Sequence, residues 1–231
     1  MSASVVLMAY GSPDRLSDVP AYYADIRGGR AMAPEHLDDL VDRYRRLGVE
    51  EHNPLNAITE ATRAALEREL EVPVFTGMKH WTPRIADAAD ASLGAGADVV
   101  VGLVLAPHYS RLSIAGYRSQ LEETSAAIAE RAALGEWSFS YQSESPTGEP
   151  WLGPDILDHL AELDAQGVDD VLVCPVGFVS DHLEIRWDID VEAQERAREL
   201  GMTLRRIEMP NDDPRFVRAL ADIVRGAAVV A

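Results

Sequence analysis

Cysteine and lysine are almost absent from this sequence. Its 231 residues include one cysteine, Cys174, and one lysine, Lys79. A single thiol cannot supply an internal disulfide, a cysteine-rich zinc site or an iron–sulfur cluster held by four cysteines of the chain, so we expect none of these. Cys174 lies in an apolar run, which predicts a buried small side chain. The other basic residues are arginines, a composition that fits a salt-adapted cytoplasm or a GC-rich genome.

Long apolar runs and excess positive charge are also missing. No stretch reaches the length of about eighteen apolar residues that a membrane helix needs, so we expect no membrane insertion. The N-terminus has neither a basic region nor a cleavage pattern, which predicts no signal peptide and a cytoplasmic location. Acidic residues number 39 against 21 basic ones, giving a net charge of −18. This balance disfavours binding to nucleic acid or to an anionic membrane surface.

Short apolar runs alternate with amphipathic segments, the pattern of an α/β fold with mostly parallel sheets. Segments 85–110 and 156–181 echo each other as helix, Gly-x-Asp turn, apolar strand, proline and polar tip. This echo predicts two similar halves that meet between Tyr117 and Trp137, which we divide as residues 1–117 and 118–231, although one continuous sheet is an open alternative. Residues 143–153 are rich in Ser, Pro and Gly and predict a lid or binding loop. The predicted strands are 5–9, 73–78, 99–105, 137–141, 171–176 and 203–207.

In a protein with a parallel sheet, ligand-binding and catalytic residues are expected just after the strands, at their carboxyl ends. Aromatic, imidazole and carboxylate side chains follow the predicted strands, whereas a glycine-rich phosphate loop and a Gly-x-Ser-x-Gly nucleophile turn are absent. These absences disfavour nucleotide cofactors and the usual α/β hydrolase. His182 and Glu184 would share one face if their segment were extended. Asn53, before Pro54, predicts a cap for the following helix.

Arginines and tyrosines also cluster on two predicted helices, around Tyr22 and Arg27 and again at Arg43 and Tyr44. Tyrosines at helical spacing are more often packed in a core than in contact with a ligand. The arginines need an anionic partner, which is either an internal carboxylate or an anionic ligand.

Eight motifs lie along nearly the whole chain. They are MAYGSP (8–13), YYADIR (22–27), DRY (42–44), PLN (54–56), GMKH (77–80), LAPHYS (105–110), WLGPD (151–155) and PVGFVSDHLE (175–184). Together they make this sequence resemble the ferrochelatase family, most closely the bacterial branch that uses coproporphyrin III. They keep the family's order, and the last is the most specific.

The resemblance implies two Rossmann-like halves around a porphyrin, insertion of ferrous iron and a role in haem biosynthesis. Iron and porphyrin would be substrates, with no tightly bound cofactor. Tyr10 would face the metal as an axial ligand, and Glu184 would be the catalytic carboxylate that binds iron or moves protons. From its position we predict His182 as a further metal ligand beside Glu184. The residues that would contact the macrocycle or its carboxylates are Arg27, Arg43, Tyr44, Asn53 and Tyr117.

One departure from the family pattern follows Tyr117. The family continues with the last strand of the first half, a connecting helix and a strand ending in Ala-His-Ser-Leu-Pro, whose histidine is catalytic. Here the chain passes within a few residues to a later part of the pattern, so that histidine is missing unless His182, His80 or His108 replaces it. Each half would lose a strand, which predicts a homodimer that covers the exposed edges or reduced stability. A non-catalytic porphyrin- or haem-binding relative and a truncated remnant are the alternatives.

Overall fold

The computed structural model describes residues 2–50, 52–106, 114–142 and 153–230, without the side chains of 114–118 and 228–230. The described residues form two compact units. The first takes its residues from Met1–Ala106, Val179–Asp181 and Pro210–Ala231, and the second from Pro107–Phe178 and His182–Met209. Residues 143–152 of the predicted loop lie outside the description.

A three-stranded parallel sheet forms the centre of the first unit. Its strands are β1 (Ala3–Ala9), β2 (Val74–Met78) and β3 (Val99–Val104), in the order β2-β1-β3. Leu7 of the central strand pairs in register with Thr76 on one side and Leu103 on the other. Residues 5–7 are all buried, as a strand covered on both faces requires, and this explains why the run is apolar without alternation.

Helices account for most of the remaining described residues. A short 3-10 helix lies at Leu16–Asp18 and a π-helix at Ile185–Ala193. No helix in the described ranges combines the length and apolar character that a bilayer crossing requires. The α-helices are α1 (Val19–Ile26), α2 (Pro34–Arg46), α3 (Pro54–Leu70), α4 (Ile85–Gly94), α5 (Ile114–Arg131), α6 (Ile156–Ala165), α7 (Gln194–Glu199) and α8 (Pro214–Val230).

Both faces of the first sheet are covered. On one face, Leu7 packs with Leu66 of α3 and Val217 of α8, and each fully buried aliphatic side chain contributes about 1.5–3 kcal/mol. On the other face, α4 approaches so closely that the Ser4 and Ser92 hydroxyls share a buried hydrogen bond. The two covered faces make the first unit a complete α/β sandwich around a short sheet.

The second unit has a smaller sheet. Its strands β4 (Asp170–Val173) and β5 (Thr203–Arg206) pair in parallel. Leu160 of α6, Ile189 of the π-helix and Leu204 of β5 form its core with four further buried residues, Ile156, Ala193, Ala197 and Met202. The fold class is therefore confirmed as α/β with mostly parallel, short sheets. The described residues form two separate sheets, so the alternative of one continuous sheet is wrong.

The echo predicted from the sequence is present in the backbone. In the first unit the Met78 N–H donates to the Pro83 carbonyl at 2.7 Å, just before α4, and in the second the Tyr141 N–H donates to the Pro154 carbonyl at 2.9 Å, just before α6. Each proline follows a cis peptide bond. In both segments this proline is followed by a helix, α4 or α6, and then by a parallel strand, β3 or β4.

The strand predicted at 137–141 is wrong, apart from a single bridge between Tyr141 and Asp155. The corresponding strand of the first unit, β2, owes its regularity to hydrogen bonds with β1. No counterpart of β1 occurs among the described residues of the second unit. An apolar segment without a neighbouring strand cannot form a ladder, whatever its own propensity.

Two other expectations concern the boundary between the halves and the burial of Cys174. The compact units do not follow the predicted boundary between 1–117 and 118–231, because α8 packs on α3 and β3 of the first unit. The division of the chain into two family halves therefore stays a prediction that rests on the repeat in the sequence. Cys174 is exposed, not buried, because it continues the alternation along β4 in which Asp170 and Leu172 are exposed.

We expect Gly77→Ala to destabilise the first unit. A Cβ at Gly77 would lie 2.8 Å from the Ile85 Cα, and this backbone atom of α4 can move only by shifting the helix. Overpacking of this kind costs about 1–3 kcal/mol, measured as the free energy of unfolding in urea. Gly94→Ala is the matched control, because its Cβ meets nothing within 4 Å and its effect should stay within about 1 kcal/mol. Equal stability of the two variants would contradict the close approach of β2 and α4.

Candidate functional site

Tyr10 is an exposed tyrosine at the carboxyl end of the first sheet, with 53% of its surface accessible. It follows β1 directly, and the residues after β2 lie beside it. The Lys79 N–H donates to the Ala9 carbonyl at 2.9 Å, and the His80 N–H donates to the Tyr10 carbonyl at 3.0 Å. The Tyr10 and His80 rings have centroids 4.6 Å apart, and Lys79 Nζ lies 5.5 Å from the Tyr10 ring centroid. The sheet therefore brings together two residues that the sequence predicts after different strands.

Asp25 and Arg84 hold the His80 imidazole. His80 Nδ1 lies 2.9 Å from Asp25 Oδ2, and the Arg84 guanidinium donates to both carboxylate oxygens of Asp25, at 2.8 and 3.1 Å. Arg84 also donates to the Lys79 carbonyl at 2.9 Å. The Arg84 guanidinium, followed by the His80 ring, lowers the pKa of the Asp25 carboxyl to about 2. We call these three residues the Asp25 clamp.

The turn after Tyr10 is fixed by side chains from α1 and α3. The Tyr22 hydroxyl donates to the Gly11 carbonyl at 2.8 Å. The Asn53 amide donates to Ser12 Oγ at 2.6 Å and to the Pro13 carbonyl at 3.0 Å, while its oxygen accepts from the Leu55 N–H at 3.0 Å. The predicted cap at Asn53 is confirmed. Asn53 is buried and its amide is engaged within the protein, so its contact with a macrocycle stays a prediction.

The predicted anion contacts differ in accessibility. Arg27 is exposed at the end of α1, and Arg43 is half-buried, with its Nε 3.0 Å from an Asp39 carboxylate oxygen. Tyr44 is only 3% exposed and belongs to the core, as tyrosines at helical spacing commonly do. The side chain of Tyr117 and all of His108 lie outside the described residues. The predicted roles of these residues in ligand binding therefore stay predictions.

The second unit holds His182 and Glu184. Glu184 has helical backbone angles at the start of the π-helix, so the extended segment considered from the sequence is not formed. His182 Nε2 nevertheless lies 3.5 Å from Glu184 Oε2, and Phe178 packs on the His182 ring with centroids 4.2 Å apart. Half of the Glu184 side chain is exposed, at 49%. The predicted pairing of imidazole and carboxylate is therefore present, although through a helical backbone.

Sequence reasoning missed three features of these sites. Asp25 and Arg84 were not singled out, because they lie 55 and 59 residues from their partners and only the order β2-β1 brings them together. The π-helix gives no sequence signal that we can identify, yet such wide turns are often found at functional sites.

No group of three or more His, Cys, Asp or Glu residues is placed to hold a metal ion within the described part of the chain.

Comparison with known proteins assigns these features to a family. The ferrochelatase family model matches residues 2–117 and 112–228. A ferrochelatase of Herpetosiphon aurantiacus is 36% identical, covering 96% of this chain and 98% of the relative, and one of Deinococcus radiodurans is 34% identical, covering 98% and 96%. A coproporphyrin III ferrochelatase of Geobacillus thermodenitrificans is 32% identical, covering 96% and 95%.

The same comparisons show that the chain is shorter than its relatives. The Herpetosiphon alignment spans 301 positions, so at least 70 of them have no residue in this chain of 231. The two stretches of the family match adjoin at 112–117, where the sequence pattern predicts the break. The two matched stretches together cover nearly the whole chain, and the chain belongs to the ferrochelatase family.

Proposed function

We propose that this protein inserts ferrous iron into coproporphyrin III in haem biosynthesis. The observation that carries the proposal is the match of 96% of the chain to a relative named ferrochelatase, while the substrate is taken from relatives named coproporphyrin III ferrochelatases. The exposed Tyr10 ring at the carboxyl edge of the first sheet supports it, because ligands of parallel sheets bind at this edge.

The reaction exchanges two protons for one metal ion. Two pyrrole N–H groups must lose their protons as ferrous iron enters the ring, so the protein has to accept protons and present a weakly ligated ion. A carboxylate with an imidazole beside it suits both tasks, since both groups titrate usefully and both ligate iron. Glu184 and His182, 3.5 Å apart, are the pair that we assign to them in the second unit.

Recognition of the porphyrin requires local positive charge. Coproporphyrin III carries four carboxylates, whereas the protein has a net charge of −18, so general attraction is unfavourable. Arg27 and Arg43 are the residues that we assign to the carboxylates, and Tyr10 is assigned to the metal as an axial ligand. Arginine suits this role because its guanidinium binds carboxylates through two parallel hydrogen bonds.

A non-catalytic porphyrin-binding protein is the second candidate. The observation that favours it is the gap of at least 70 alignment positions, which by family resemblance includes a catalytic histidine. Such a protein would keep the tyrosine and arginine contacts without turnover. Binding and metallation therefore have to be measured separately.

Metallation should depend on Glu184 and on one imidazole. In a spectrophotometric assay with ferrous iron and coproporphyrin III, Glu184→Gln and His182→Ala should each lower turnover at least about a hundredfold, the loss typical of a removed general base. His80→Ala tests the competing imidazole of the first unit in the same way. An unchanged rate in Glu184→Gln would reject the assigned mechanism and favour the binding protein.

Porphyrin binding should depend on the two arginines, whether or not the protein turns over. Titration with coproporphyrin III should shift the Soret band, and Arg27→Ala and Arg43→Ala should each weaken binding by about tenfold or more, as a lost charged hydrogen bond predicts. Arg218→Ala, on the exposed side of α8, is the matched control and should bind like wild type. No binding at micromolar protein would contradict both candidate functions.

A further inference from the structure

The Asp25 clamp determines which nitrogen of His80 carries a proton. The Asp25 carboxyl has a pKa of about 2, so near neutral pH it is a carboxylate that can only accept hydrogen bonds. The proton in its 2.9 Å contact with His80 therefore resides on Nδ1. In the neutral ring the lone pair is then on Nε2. This nitrogen can therefore ligate a metal or accept a hydrogen bond.

Besides Asp25, the Tyr10 ring contacts the His80 imidazole, and a cation lies next to each of these two partners. Arg84 shares the Asp25 carboxylate, Tyr10 packs on the imidazole ring, and Lys79 lies over the Tyr10 ring. The His80 side chain is only 15% exposed. The ring is thus held by a carboxylate on one side and by the aromatic ring of Tyr10 on another, and its orientation and that of Tyr10 are fixed together.

We propose that Asp25 is a positioning residue of the porphyrin site, which fixes the His80 imidazole as the Nδ1–H tautomer and, through it, the ring of Tyr10. This inference rests on the proposed function, since it assumes that Tyr10 meets the porphyrin. Carboxylates play the same part behind many metal-binding histidines, where they set the tautomer and the ring orientation. Asp25 itself needs no contact with the substrate.

The contacts of Arg84 argue that the clamp does more than join two elements. Arg84 precedes α4 and donates to the Lys79 carbonyl, so it already ties the turn after β2 to the helix without Asp25. A partly exposed ion pair between Asp25 and Arg84 adds little stability. What Asp25 adds is a bond to His80, 55 residues away, across the sheet edge from which Tyr10 projects.

The tautomer can be read directly in the ligand-free protein. Long-range 1H–15N correlation spectra of histidine-labelled protein should show His80 as the Nδ1–H form, with the resonance assigned by its loss in His80→Gln. Asp25→Asn should abolish or mix this pattern, because its amide group can donate to Nδ1 instead. A wild-type His80 in the Nε2–H form would overturn the proposal.

The functional consequence is tested by a double-mutant cycle. Asp25→Asn should weaken the coproporphyrin-induced Soret shift or lower metallation by about 10–100-fold, the usual effect of removing an outer-shell partner. In a His80→Gln background the same substitution should have almost no further effect, because Asp25 acts through His80. A purely structural role would give additive losses in the two backgrounds and would overturn the proposal.

Controls separate this inference from the proposed function. Asp222→Asn removes an exposed carboxylate paired with Arg225 on α8 and should leave tautomer, binding and turnover unchanged. Arg84→Gln leaves the Asp25 to His80 bond in place, so it should keep His80 in the Nδ1–H form and separates that bond from the ion pair. If Asp25→Asn does not fold, the tautomer of wild-type His80 still tests the proposal. Wild-type binding together with wild-type metallation in folded Asp25→Asn overturns the role of Asp25 alone, whereas no porphyrin binding by the wild-type protein overturns the proposed function and that role with it.

Discussion

The hydrogen bonding of β1 on both of its edges is the constraint on which this structure depends. β1 places β2 on one side and β3 on the other, and the residues following these strands therefore emerge at one edge of the sheet. The proximity of Tyr10 and His80 is a direct result, because each follows a strand of the same adjacent pair. In the second unit no described strand plays the part of β1, and the segment leading to Tyr141 forms only a bridge.

Side chains from the helices then stiffen what the sheet has arranged. Tyr22 and Asn53 bind the turn after Tyr10, while Asp25 and Arg84 hold the turn after β2. These hydrogen bonds join residues that belong to different elements of the first unit. A site supported in this way loses little conformational entropy when a flat ligand binds, since its groups are already ordered.

The parts of this structure that could be predicted are those that depend on residues adjacent in the sequence. Apolar runs predicted five strands to within a few residues, and the Asn53-Pro54 pair predicted the cap of α3. The strand at 137–141 could not be judged from its own residues, because its formation depends on a partner strand. The Asp25 clamp required knowledge of strand order, and the closeness of His182 to Glu184 arises from a helical backbone that their spacing alone did not favour.

Lys79 carries the only lysine amine of the chain, and it is exposed above the Tyr10 ring. A reagent that acylates lysine side chains can therefore attach at only one lysine, within a few ångströms of the tyrosine that we assign to the metal. A fluorophore or cross-linker placed there would report on this edge of the sheet without mutagenesis. The scarcity of lysine thus gives the protein a native attachment point for spectroscopy.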